Sequence, residues 1–530
     1  MTNLRLREHR FLGATQSLCP ECLDVVPAKI LAREGRVYFR KHCPTHGTRD
    51  DFVCADERWF DRMEYSLPGR VPPRFALEPD RGCPYDCGLC TEHEQHTCVA
   101  VLEVTSSCNL KCPLCYAASG PGGFHVPLPD CRKAIDHLVA YEGRPEILQL
   151  SGGEPTVHPD FSDIFEYACS QPIDIVMINT NGIRIAKDPR LRDLLSRYRQ
   201  RSEVYLQFDG FDDGIYQKLR GEALLETKLR AIELLSESGV NVTLVCTVDQ
   251  NNLDQVGRLV QFGMERPTIT GVSFQPATYT GRYVAPESLE QRVTFPDVIA
   301  AIAEQTDGRW EARDFLPLPC AHPNAHSLAY AYREGSQSIS LARLIDVENH
   351  LDLLANGITF NRQSARELIS TFLSRQACGT GQDCGCGPMS FTADAPVTQV
   401  PMHPLDRTAG TSQVVDVSNA GAGTEADVGT AAVDPRQDPL AASFFRRAVN
   451  EDLSPADMFR ITTTSFMDAY NFDIRQLMKS CVHHLLPSGH LIPFCAYNVL
   501  YREGHVPLPS LANMVETYSI DSPNGKVETG

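Results

Sequence analysis

Between residues 100 and 280, short apolar runs alternate with longer stretches whose apolar residues recur every three to four positions. The runs at 100–106, 146–150, 173–179, 203–208, 241–248 and 271–275 read as strands. The periodic stretches between them read as helices, most clearly 160–169, 224–238 and 253–264. In 224–238, Leu225, Leu229, Ile232 and Leu235 share one face and Gly239 supplies the stop. Six strands alternating with helices predict an α/β fold with a parallel sheet and right-handed crossovers. Chemistry on such a sheet sits at the carboxyl ends of the strands.

Outside this region the pattern changes. Residues 1–98 lack long periodic segments, and a hairpin over 25–40 turns at Glu34-Gly35. Residues 281–530 read as mainly helical, interrupted at 392–439 by a segment without aromatics that reads as a disordered insertion. The expected division is therefore 1–98, 99–280 and 281–530, in keeping with about two to four domains for 530 residues.

Hydrophobic residues make up 42% of the chain, enough for a sizeable core. No run approaches the roughly 18 apolar residues that span a bilayer, and residues 1–10 are charged, unlike a secretory signal. The expected location is cytoplasmic, with transient membrane contact left open. A net charge of −18 argues against general nucleic-acid binding, which relies on Lys and Arg. Twenty cysteines in a long chain without a signal peptide point to metal ligands rather than disulfides.

Cys108, Cys112 and Cys115 follow the first strand on one loop. Three thiolates hold three corners of a [4Fe–4S] cube and leave the fourth iron open to a ligand. Ser151-Gly152-Gly153-Glu154-Pro155-Thr156 ends the second strand, where glycines permit close backbone approach. Together these segments resemble the radical S-adenosylmethionine (SAM) superfamily. The resemblance implies a partial (β/α)6 barrel, with SAM bound to the open iron and Gly152, Gly153, Glu154 and Pro155 holding its amino group. It also implies reductive cleavage of SAM to a 5′-deoxyadenosyl radical, with electrons from a one-electron reductant such as flavodoxin or ferredoxin. Asn181 and Asp209, at the third and fourth strand ends, read equally as SAM or substrate contacts and as turn residues. No catalytic side chain is legible. Many members carry an aromatic just before the third cysteine. Here that position is Leu114, and Tyr116 follows instead.

Three further cysteine groups surround this core. Cys19, Cys22, Cys43 and His46 form paired knuckles for a mononuclear zinc or iron, with Cys54 as an alternative to His46. Cys83, Cys87 and Cys90 repeat the cluster spacing, and Cys98 supplies a fourth thiolate, so this group reads as an auxiliary [4Fe–4S] cluster. Cys320, Cys378, Cys481 and Cys495 read as ligands of a second auxiliary cluster. Cys169 and Cys246 read as buried core thiols.

The two metal knuckles, the cluster loop, the Gly-Gly-Glu-Pro segment and Ile492-Pro-Phe-Cys495-Ala-Tyr-Asn498 narrow the resemblance. They are similar to the branch containing tetraether lipid synthase and hydroxymethylpterin methylase. That branch implies methylation or carbon–carbon bond formation at an unactivated carbon of a lipid or pterin-like substrate. Two other readings compete: a radical SAM peptide maturase, and a non-catalytic multi-cluster electron-transfer protein. The second of these leaves the Gly-Gly-Glu-Pro segment unexplained.

Overall fold

A computed structural model describes residues 7–345, 351, 438–511 and 515–516. The segment 392–437 and Cys378 lie outside the described residues.

The first unit is a four-stranded antiparallel sheet of β1 (Arg10–Leu18), β2 (Val25–Arg33), β3 (Arg36–Cys43) and β4 (Gly47–Cys54), in that order. The expected hairpin is β2–β3. Its turn uses Glu34 at φ 52° and Gly35 at φ 76°, the left-handed pair that matches strand twist.

All six expected strands form, as β5 (Val99–Thr105), β6 (Ile147–Gly152), β7 (Ile175–Thr180), β8 (Ser202–Gln207), β9 (Val242–Val248) and β10 (Ile269–Pro276). Each pairs in parallel with the next. The crossovers include α1 (Leu128–Glu142), α2 (Phe161–Ser170), α3 (Asp213–Arg220), α4 (Leu225–Glu237) and α5 (Val256–Met264). Helix α4 buries Ile232 and Leu235 against the sheet, as its periodicity implies. Strand interiors such as Leu102, Leu148, Ile178, Leu206, Leu244 and Phe274 fill the main core.

The C-terminal region departs from its mainly helical expectation. It supplies β11 (His326–Glu334), β12 (Met458–Thr464), β13 (Val482–Leu485) and β14 (Leu491–Pro493). Strand β12 joins β10 in parallel and β13 joins β5 in parallel, so the sheet is extended at both edges by the far end of the chain. Residues past 281 therefore complete the barrel sheet instead of standing apart from it. Residues 326–334 include Leu328, Ala329 and Ala331, which are compatible with helix. Pairing with β12 overrides that propensity.

The N-terminal sheet is tied to the rest through Lys41. Its ammonium is buried, pairs with Asp51 at 3.0 Å, and donates to the carbonyls of Leu18, Ala469 and Tyr470 at 2.9, 2.8 and 2.7 Å. Burial pushes its pKa down to about 8 despite the Asp51 charge.

Candidate active site and metal centres

Strand β5 ends at Thr105, and the loop carrying Cys108, Cys112 and Cys115 begins there. The loop is held mainly by backbone. Cys108 N–H donates to Gly120 O at 3.0 Å, and Cys115 exchanges two bonds with Arg282, at 2.8 and 3.0 Å. The Arg282 guanidinium donates to the carbonyls of Cys112 and Ser119. The three thiols are half-buried and lie within electrostatic reach of one another. Burial pushes Cys108 up to about 12 and raises Cys112, which the Arg220 charge partly offsets.

The Gly-Gly-Glu-Pro segment lies directly against this loop. Gly153 N–H donates to Thr105 O at 2.8 Å, and Glu154 N–H donates to Ser107 O at 2.9 Å. Gly152 has φ 128°, and a Cβ there would run into Thr105 O. The glycines are what let the two strand ends touch.

Glu154 is 1% exposed and spends its carboxylate inside the protein. It accepts bonds from Thr156 Oγ1 at 2.6 Å, Thr180 Oγ1 at 2.7 Å and Asn181 N–H at 2.7 Å. Asn181 Nδ2 then donates to Asn109 Oδ1 at 2.6 Å, linking β7 to the cluster loop.

Asp209 is a correction to the sequence reading. It is fully buried, and both oxygens are taken by the Arg220 guanidinium at 2.7 Å, with Thr247 N–H and Gln207 also donating. It anchors α3 and has no free oxygen for a ribose. Arg220→Ala would strand this carboxylate without its counter-charge. Denaturant melts should then show a loss of about 3–5 kcal/mol.

Lys228 escaped the sequence reading. It is fully buried on α4, donates to Gln207 Oε1 at 2.7 Å and to Asn181 O, and burial pulls its pKa down to about 7. The available signal was a lysine three residues after Leu225 and four before Ile232, on the apolar face.

Inside the barrel is a cavity of about 80 Å³, walled mostly by apolar side chains such as Val99, Ile147, Met177, Leu318 and Phe466, with Gln149, Tyr205, Ser273, Gln275, Thr462 and His326 adding polar groups. Tyr205 donates to Ser273 at 2.7 Å and Gln275 donates to Tyr205 at 3.2 Å.

The ligand atoms of Cys19, Cys22, Cys43 and His46 all lie within 4.8 Å of one another. Cys43 is pulled down to about 6, chiefly by a hydrogen bond from the His46 backbone. Cys54 stands apart, its thiol donating to Asp56 O at 3.4 Å.

Cys83, Cys87 and Cys90 form a second group whose thiols feel one another. Cys98 belongs elsewhere: its partners are Cys320 and Cys481. It is placed there because Val99 pairs with Val482 across the β5–β13 ladder, which sets the two preceding cysteines side by side. Nearness to Cys90 in the chain misled the sequence reading. Cys495, grouped with Cys481 from sequence, instead accepts the Met467 N–H at 3.1 Å. Cys169 and Cys246 are buried, as expected. Among the described residues, no helix is long and apolar enough to cross a membrane.

Residues 102–263 match the radical SAM superfamily, and residues 11–55 match the HMPTM N-terminal zinc ribbon domain. The chain is 30% identical over 516 residues to a 7,8-dihydro-6-hydroxymethylpterin dimethyltransferase of Methanocaldococcus jannaschii, spanning 92% of this chain and 94% of that protein. The chain belongs to the radical SAM superfamily, on the hydroxymethylpterin dimethyltransferase branch. A mycofactocin maturase of Mycolicibacterium smegmatis is also 30% identical, but over 35% of this chain and 43% of its own. The solved structure of Streptococcus suis SuiB aligns with a TM-score of 0.34 at 18% identity, covering 40% of this chain and 46% of that one.

A radical SAM enzyme implies a [4Fe–4S] cluster and SAM. The residues present fit that pair: three half-buried thiols on one loop at the barrel mouth, with a glycine-lined strand end against them.

Proposed function

We propose that this enzyme methylates a pterin-like small molecule. Cys108, Cys112 and Cys115 hold the SAM cluster, and the backbone of Gly152–Pro155 receives SAM. Asn181 and Glu154 act as positioning residues for that segment. When bound, the cluster and SAM supply a carbon-centred radical that removes hydrogen from substrate.

The protein's own contribution is placement. Arg282 pins the cluster loop, Glu154 locks the adjoining strand ends, and the barrel wall excludes water from the reacting pair. A one-electron reductant such as flavodoxin or ferredoxin supplies electrons. Cys83, Cys87 and Cys90 form one auxiliary site, Cys98, Cys320 and Cys481 another, and the ribbon holds zinc or iron.

The observation that carries the substrate reading is the 30% identity, over 92% of the chain, to a 7,8-dihydro-6-hydroxymethylpterin dimethyltransferase. The mostly apolar cavity carries amide and hydroxyl groups at Gln149, Gln275 and Thr462 that a flat heterocycle can pair and a lipid chain cannot. The test is anaerobic turnover of reconstituted enzyme with SAM, a one-electron reductant and 7,8-dihydro-6-hydroxymethylpterin deuterated at its carbon positions. Deuterium should move from the pterin into 5′-deoxyadenosine. Deoxyadenosine without deuterium would overturn the substrate and leave the radical chemistry standing.

A further inference from the structure

We infer that Glu103, clamped by Arg502, recognises an exocyclic amino group of the substrate in an aromatic corner of the barrel beside the cluster loop. The inference rests on the pterin reading and goes beyond it in naming the residues that select the heterocycle.

Strand β5 alternates between two faces. Ala100, Leu102 and Val104 pack into the main core, and Val99 lines the barrel cavity, so Glu103 faces the interior nearer the mouth. Its carboxylate receives both terminal nitrogens of Arg502, at 2.9 and 2.7 Å. The remaining guanidinium nitrogen, Nε, donates to Asn498 Oδ1 at 2.9 Å. Asn498 is fixed in turn, because its Nδ2 lies 3.2 Å from His484 Nε2 and donates to Phe494 O at 2.9 Å. Asn498 closes the Ile492–Asn498 motif, so one task of that motif is to aim Arg502 at Glu103.

Glu154 and Asp209 are 1% and 0% exposed, but the Glu103 side chain keeps 19% and that of Arg502 14%. An interior ion pair with that much surface borders open space. Burial raises the Glu103 pKa, but the Arg502 charge outweighs it and holds the carboxyl below its usual range. An ionised carboxylate only accepts, through about four lone-pair sites. Arg502 takes one on each oxygen, which leaves separate single sites rather than a paired edge. One N–H projecting from a ring, as on an amino substituent, fits such a site. The neighbouring walls suit the ring itself. Tyr116 and Phe494 have centroids 5.1 Å apart, and Phe494 stacks on His484 at 4.9 Å. Tyr497 lies 4.4 Å from His484, and Arg502 sits 4.8 Å over Tyr497. Aromatic faces of this kind take flat heterocycles by stacking. Tyr116 directly follows Cys115, and its hydroxyl lies 3.5 Å from Ser151 Oγ. The corner therefore adjoins both the cluster loop and the strand end that leads into Gly152.

The test uses full-length reconstituted enzyme with SAM and no reductant, so that binding is read without turnover. Anaerobic equilibrium dialysis compares 7,8-dihydro-6-hydroxymethylpterin with the analogue that lacks its 2-amino group. The parent should hold the pterin about 10- to 100-fold more tightly, as expected for one hydrogen bond to a charged acceptor. Glu103→Gln, prepared with the iron content of the parent, should lose that preference through weaker binding of the pterin. Equal affinity of the parent for the two ligands overturns the inference, and this arm needs no variant to fold. A preference that survives in Glu103→Gln, even with both affinities reduced, marks a structural role and overturns it as well. A parent that binds neither ligand overturns the pterin reading and the inference with it.

Discussion

Cys112→Ala protein should form no 5′-deoxyadenosine above the uncatalysed background, while its melting curve stays close to that of the parent. The loop that carries Cys112 is held by backbone bonds to Arg282 and Gly120, none of which needs the thiol. The side chain is half-buried, so its loss opens no sealed core cavity. What is lost is one of three iron ligands, and about four irons per chain should go with it. Iron analysis and chromatography of SAM digests read both effects. Cleavage that survives would move the active loop to Cys83, Cys87 and Cys90, the other loop with the same spacing.

Gly153→Ala should be nearly as damaging with every ligand in place. A Cβ at Gly153 would sit 2.6 Å from Ser107 C and 3.0 Å from Cys108 Cβ. Both neighbours belong to the cluster loop, and one is backbone, so the segment and the loop must part. Overpacking of this kind costs about 1–3 kcal/mol. A misplacement near 1 Å at a reacting centre costs about 100-fold in rate. We expect SAM cleavage to fall by about that factor with iron content preserved. A rate within about threefold of the parent would mean that the close approach of the two strand ends is irrelevant to catalysis.

The barrel was legible because its signals are local. Each apolar run between turn residues became a strand, and the period in 224–238 became α4 to within a residue at either end. The cluster loop and Gly152–Pro155 were legible because each is a contiguous motif. The metal groups divide on the same principle. Cys19, Cys22, Cys43 and His46 come from one small sheet and were found complete. Cys98, Cys320 and Cys481 come from three distant segments, and no spacing rule relates them. The pairing of β5 with β13 decided Cys98, and that pairing was hidden because residues past 281 showed no strand pattern strong enough to be read. Lys228 and Arg220 were missed for another reason: a buried cation is visible only through the partners that surround it.

The extension of the sheet at both edges by its last strands also sets a timetable. His93 and His483 touch across 390 positions of chain. At ribosomal rates of about 5–20 residues per second, the later segment emerges roughly 20–80 s after the earlier one. Throughout that interval Cys98 is without Cys481, and β5 has a bare edge. The ribbon, whose four ligands lie within 28 residues (Cys19 to His46), can take its ion while the rest is still being made. The four ribbon ligands are therefore together long before Cys98 and Cys481 can meet, which has to wait until translation has passed Cys481.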